Sequence, residues 1–257
     1  MTRIALVTGA SSGIGREAAI ALHQAGWTVI ITARRQNDLE ETLDLMKAAS
    51  LKDSSAARPD SLIVVADLTV SDDVDRLYRE INERYGRLDL LFNNAGVPSP
   101  KVHMEDLPLD KFNSIMAVNV TAIFHCAQKA ISMMKKQQPM GGRIINNGSV
   151  SAYTPRPLSA PYTMSKHSVL GLTKSIALDC RQFNIACSQL DIGNAQSSMS
   201  AQKSAGVLQA DGSTAAEPVM DASWAGEAVV YMAGLPLNVN VLNQTLMATN
   251  MPFVGRG

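Results

Sequence analysis

The chain has no excess of either charge: 23 basic and 23 acidic residues cancel to a formal net charge of zero. It therefore offers no basic field or tail for nucleic acid or an anionic membrane, and neither is expected as a partner. Long hydrophobic runs are also missing. The longest, near Ala228 to Leu237, is interrupted by Gly234 and Pro236 and falls short of the roughly 20 apolar residues of a membrane-spanning helix. Strand-like sequence begins almost at Met1, so no secretory leader is expected. Cysteine is scarce, and Cys126, Cys180 and Cys187 have neither metal-type nor redox-type spacing. They read as small buried apolar residues of a protein kept in a reducing cytoplasm. His23, His103, His125 and His167 share no ligand spacing, so no metal is expected. No repeat or linker divides the chain.

What is present is apolar patterning. Of 257 residues, 46% are apolar, enough for a large core in one α/β domain covering 1–257. The stretch RIALVTGASSGIG, Arg3 to Gly15, places an apolar strand before a turn carrying Gly9, Gly13 and Gly15. A helix follows, with Ile14, Ala18, Ala21, Leu22 and Ala25 at helical spacing up to Gly26. Backbone N–H groups and the positive end of a helix at such a turn form a phosphate site. The spacing G-x-x-x-G-x-G differs from the usual dinucleotide pattern G-x-G-x-x-G, though the physics is the same.

Further strands are expected at 27–32, 61–66, 87–92, 142–147, 185–190 and near 241–248. Helices are expected at 37–49 (Asn37 as N-cap, with Glu40 three residues on), 71–85, 109–136, 161–180 and 221–233. Residues 193–220 show no strong period and read as a mobile cover over a pocket. Alternating strands and helices predict a doubly wound, Rossmann-type parallel sheet of about seven strands, with helices on both faces. In such sheets ligands bind beyond the carboxyl ends of the strands. Those ends carry Gly9–Gly15, Arg34, Asp67, Asn93–Gly96, Ser149 and Gly193.

Arg34 stands about twenty residues past the glycine turn, where an acidic residue would hold a ribose 2′-hydroxyl. A guanidinium there suits a 2′-phosphate and favours NADP(H) over NAD(H); a solvated surface arginine is the plain alternative. Asp67 either accepts from an adenine amino group or starts a turn. Tyr162 and Lys166 share a helix face. An ammonium beside a phenol favours the phenolate, which makes Tyr162 a workable general acid or base. If the backbone stays extended after the fifth strand, Ser149, Ser151 and Tyr153 point to one side. Arg156, between Pro155 and Pro157, reads either as a solvated loop residue or as a contact for a substrate anion.

Thr8–Gly15 (T-G-x-x-x-G-I-G), Asn93–Gly96 (N-N-A-G), Asn119 within N-V-N-V, and Ser149 ahead of Y-x-x-x-K at Tyr162 and Lys166 together resemble the single-domain branch of the short-chain dehydrogenase/reductase family. The resemblance implies that Tyr162 exchanges the proton with the substrate oxygen, that Lys166 assists it and holds the nicotinamide ribose, and that Ser149 hydrogen-bonds the substrate oxygen. Asn119 would position a water for proton relay. The implied cofactor-binding set is Gly9, Ser11, Ser12, Gly13, Ile14, Gly15, Arg34, Asp67, Leu68, Asn94, Ala95, Gly96 and Gly193, with Tyr162 and Lys166. Ser151, Tyr153 and Asn194 are expected in the substrate pocket.

The chain departs from the family at Asp191–Ser197, where Ile192 replaces a proline and Ser197 stands for a threonine, and at its MPFVGRG end. The expected activity is an NADP(H)-dependent oxidoreductase acting on a small carbonyl or secondary alcohol. The alternatives are an NAD(H)-preferring enzyme of the same kind and a cofactor-sensing protein without turnover. By the same resemblance, the helices at 109–136 and 161–180 pack copies into a homodimer or homotetramer.

Overall fold

The computed structural model describes residues 2–50, 60–196 and 206–254. Its strands are β1 (Ile4–Thr8), β2 (Thr28–Ala33), β3 (Leu62–Val65), β4 (Leu90–Asn93), β5 (Gly142–Asn147), β6 (Ile185–Ile192), β7 (Val207–Leu208), β8 (Thr214–Ala215) and β9 (Asn243–Leu246). Seven of these form one sheet in the order β3-β2-β1-β4-β5-β6-β9, each neighbouring pair parallel. Parallel neighbours need long crossovers. Those are supplied by helices α1 (Gly13–Gln24), α2 (Gln36–Ser50), α3 (Ser71–Tyr85), α4 (Leu109–Met116), α5 (Ala122–Lys136), α6 (Ala160–Asp179) and α7 (Ser223–Gly234).

The core explains why the strands read as unbroken apolar runs. Successive side chains face opposite layers, and both layers are covered. Ala5, Val7, Val29, Ile31 and Phe92 pack with α1, α2 and α7 through Leu22, Leu39, Met46 and Met232. Leu6, Ile30, Leu91 and Ile144 pack on the other face with α3, α5 and α6 through Leu77, Ile81, Ala130 and Ile176. Cys126, Cys180 and Cys187 are buried thiols, and burial pushes the Cys126 thiol up to about 12, which keeps it protonated and inert. No helix among the described residues is long and apolar enough to cross a membrane.

Three expectations change. Helix α2 starts at Gln36, not after an Asn37 cap; Leu39 N–H already bonds the Arg35 carbonyl, and Gln36 pairs with Glu40 one turn on. The helix expected over 109–136 is interrupted by a π-helical turn at Ala117–Thr121. Of the segment 193–220, residues 197–205 lie outside the described residues; in the described parts β7 and β8 form an antiparallel hairpin, and Ala195 bridges Met220. Ser197 lies outside the described residues.

Arg143 on β5 shows how the far edge of the sheet is held. It is almost fully buried, and burial lowers its guanidinium's pKa from the ordinary value. Its nitrogens donate to Asn240 Oδ1 and to the carbonyls of Leu235, Pro236 and Val239, the chain leaving α7. Arg143→Ala strands those acceptors, and we expect it to lower stability by about 3 kcal/mol in urea unfolding; a loss near zero would assign the packing elsewhere.

Candidate active site

Strand order reverses between β1 and β4, and a cleft of about 600 Å³ opens there. Its shape begins with Thr8. The Thr8 hydroxyl accepts the N–H groups of Asn94 and Ala95, and Asn94 Nδ2 donates back to the carbonyls of Thr8 and Gly9. The threonine-glycine pair and the Asn-Asn-Ala-Gly run are thus two halves of one clasp. Gly9 has φ +64, and a Cβ at Gly15 would stand 2.3 Å from the Gly9 carbonyl oxygen, so neither admits a side chain. The turn delivers α1 with Ser12 as its N-cap, extended and without a side-chain hydrogen bond, and with no acidic residue in the first turn. Ser11, Ser12, Gly13 and Ile14 line the cleft, so the N–H groups of that helix end are left to an anion.

Charge at the β2 end is divided between neighbours. Arg35 pairs with Asp38, and Arg16 binds Glu41, Thr42 and the Ser11 carbonyl. Arg34 lines the cleft and has no hydrogen bond or ion pair among the described residues. Asp67 and Leu68 line it too. Asp67 Oδ1 accepts from the Thr69 N–H and hydroxyl, so the carboxylate starts a turn.

At the other end are Ser149, Tyr162 and Lys166, all in the cleft lining. Lys166 is 4% exposed; its Nζ donates to the Asn147 carbonyl at 2.7 Å and lies 5.5 Å from the Tyr162 ring centroid. Asn147 Nδ2 in turn donates to Asn94 Oδ1. Ser149 Oγ accepts the Ser151 N–H at 3.1 Å, which leaves its own proton free to donate. Asn119 is fully buried in the π turn. Its carboxamide accepts the Val97 N–H, donates to the Val97 carbonyl and donates to Ser165 Oγ. Gly9, Gly13, Ala95, Gly96, Ser151, Gly193 and Asn194 also line the cleft; Gly15, Asn119 and Tyr153 do not.

The family model described as short chain dehydrogenase matches residues 3–207. The chain belongs to the short-chain dehydrogenase family. It is 35% identical over 188 residues to a 3beta-hydroxysteroid dehydrogenase of Mediterraneibacter gnavus, covering 73% of this chain and 64% of that protein. It is 36% identical over 199 residues to an A-factor type gamma-butyrolactone 1'-reductase of Streptomyces virginiae, covering 77% and 73%. A crystal structure of a variant actinorhodin polyketide ketoreductase with NADPH aligns at TM-score 0.83 and 25% identity over 97% and 96% of the two chains.

In this short-chain dehydrogenase the loop after β5 departs from expectation. The backbone turns into a single 3-10 turn, Val150–Ala152, because Ser149 caps the Ser151 N–H. An extended run would have put Tyr153 beside Ser149. Instead the Tyr153 hydroxyl donates to Asp191 Oδ2 and accepts from Asn243. Desolvation and then the Asp191 carboxylate push this phenol up to about 12, so Tyr153 stays a protonated donor outside the cleft. Asp191 is fully buried on β6 and also accepts the Ser149 N–H, Gln189 Nε2 and Asn243 Nδ2. It has no sequence motif; an acidic residue in a wholly buried strand was its signal. Arg156 is not a solvated loop residue either: it pairs with Glu217, which no local pattern announces.

Asp191→Asn turns one accepting oxygen into a donor facing Asn243 Nδ2. We expect a stability loss of about 2 kcal/mol in urea unfolding, with most of it regained when Asn243→Asp is added. Loss without recovery would place the role of Asp191 outside this network.

Proposed function

We propose that the protein is an NADP(H)-dependent oxidoreductase that interconverts a small carbonyl compound and its alcohol. The observation that carries this reading is one continuous cleft with an uncapped helix end and an unengaged Arg34 at one end and Ser149, Tyr162 and Lys166 at the other. The nicotinamide, when bound, supplies or accepts the hydride. The helix end at Ser12–Ile14 fits the diphosphate, and Arg34 fits a 2′-phosphate through a charge-assisted fork. NADPH in the polyketide ketoreductase supports a nicotinamide cofactor in such a cleft.

Tyr162 Oη gives its proton to the carbonyl oxygen in reduction and takes it back in oxidation. The Lys166 ammonium, fixed by the Asn147 carbonyl, lies beside the Tyr162 ring and would hold the nicotinamide ribose. Ser149, with its lone pair engaged by the Ser151 N–H, donates to the substrate oxygen and orients it. We assign Asn119 to positioning: it holds Ser165, whose hydroxyl bonds the Tyr162 carbonyl, and so fixes the start of the helix carrying the phenol. The relatives named for a hydroxysteroid, a butyrolactone and a polyketide ketone support carbonyl and alcohol substrates.

The reading extends to one domain over 1–257, with the described parts of 193–220 contributing Gly193–Ala195, Val207 and Leu208 to a cover on the cleft. Its buried thiols suit a reducing compartment. Exposed Leu109, Phe124, Met164 and Leu178 on α4, α5 and α6 support association of two or four copies.

Two measurements test the chemistry and the cofactor choice. Tyr162→Phe should lower kcat for NADPH-driven ketone reduction about a hundredfold or more while NADPH still binds; undiminished turnover removes the assigned acid. Arg34→Ala should weaken NADPH binding about tenfold and leave NADH binding unchanged. Equal losses for the two cofactors, or tighter binding of NADH by the unaltered protein, would favour the NAD(H) reading.

A further inference from the structure

Arg156 belongs to the loop between β5 and α6 that also carries Ser149 and Ser151, and it lines the cleft with Pro157, Leu158, Val207 and Leu208. Its backbone is pinned: Ser159 Oγ accepts the Arg156 N–H and donates to the Arg156 carbonyl. Its guanidinium meets Glu217, on the cover segment, in a two-pronged pair at 2.8 and 2.6 Å. The Arg156 side chain is 18% exposed and that of Glu217 1%. Asn194 donates to the same carboxylate and accepts from Arg156, and Gln209 Nε2 bonds the other oxygen at 3.3 Å. The cation that Arg156 brings to the cleft lining is therefore already matched by a buried anion.

We propose that this pair makes the pocket selective for substrates uncharged beyond the reacting carbonyl, such as ketones and keto esters and their alcohols, and discriminates against keto acids and hydroxy acids. The inference rests on the oxidoreductase reading and adds the substrate class. A free arginine in this place would be a carboxylate receptor. Paired with Glu217, it is not: an incoming carboxylate must either lie beside the Glu217 charge or displace it. Displacement leaves a buried carboxylate without its guanidinium, the expensive way to break such a pair. Lys101, which also lines the cleft, is exposed to water and is screened accordingly, and the buried Lys166 ammonium is already bonded to the Asn147 carbonyl. An uncharged chain meets no such barrier and packs on Pro157, Leu158, Val207 and Leu208. Specificity here is a repulsive element set against the wrong substrate.

The test compares a 3-keto acid with its ethyl ester, using NADPH oxidation for turnover and calorimetry on the NADPH-loaded protein for binding. The unaltered protein should favour the ester at least tenfold in kcat/KM and in Kd. Glu217→Gln exposes the guanidinium and should narrow that ratio at least tenfold, chiefly through the KM and Kd of the acid. Adding Arg156→Gln should restore discrimination against the acid. Preference of the unaltered protein for the acid, equal binding of acid and ester, or an unchanged ratio in a Glu217→Gln protein that still binds NADPH would each overturn the inference. Selective binding of the ester without any NADPH oxidation would instead overturn the oxidoreductase reading and leave the selectivity standing. Binding of neither compound would overturn the inference.

Discussion

The site depends on one hydrogen-bonded clasp at the carboxyl ends of three parallel strands. Thr8 on β1 binds the backbone of Asn94 and Ala95 after β4, Asn94 binds back to Thr8 and Gly9, Asn147 on β5 binds Asn94, and Lys166 on α6 binds Asn147. Strand ends are where backbone pairing runs out, and unpaired polar groups buried there would be costly. Side-chain amides and one hydroxyl take over where the ladder stops. The same bonds fix the spacing between the glycine turn and the residues near α6. Elements far apart in the chain are thereby held in one register.

Charge is distributed by the same economy. Arg16, Arg35 and Arg156 have carboxylate partners, and buried Arg143 is held by carbonyls and an amide. Arg34 lines the cleft with no hydrogen bond or ion pair among the described residues. Asp191 is buried and satisfied by donors from the Ser149 loop, Gln189, Tyr153 and Asn243. This acceptor ties the loop carrying Ser149 to β6 and β9, and it explains why Tyr153, a second phenol close in sequence to Ser149, sits outside the cleft. Only one of the two tyrosines in this region shares the cleft with a lysine.

Much of this was legible beforehand, for local reasons. Apolar runs between glycine turns and amphipathic segments specify a parallel sheet with two covered faces, since period-2 and period-3.6 patterns answer to local geometry. The glycine turn, Tyr162 with Lys166, and Ser149 are short-range patterns as well. The start of α2 is not set by Asn37, because the Gln36–Glu40 and Arg35–Asp38 pairs begin the helix before it. The π turn at Asn119 was invisible because its extra residue is accommodated by bonds to Val97 and Ser165, on segments far away in the chain.

The amino-acid sequence by itself determined the fold, the family and the glycine turn, because each is written in residues near one another along the chain. The tertiary structure decided which polar groups are spent and which are available. Whether Arg34 is free, whether Tyr153 enters the pocket and whether Arg156 carries net charge toward a substrate all turn on partners such as Asp191 and Glu217. Those partners arrive from other elements, and the strength of a buried charge or hydrogen bond depends on what surrounds it in space.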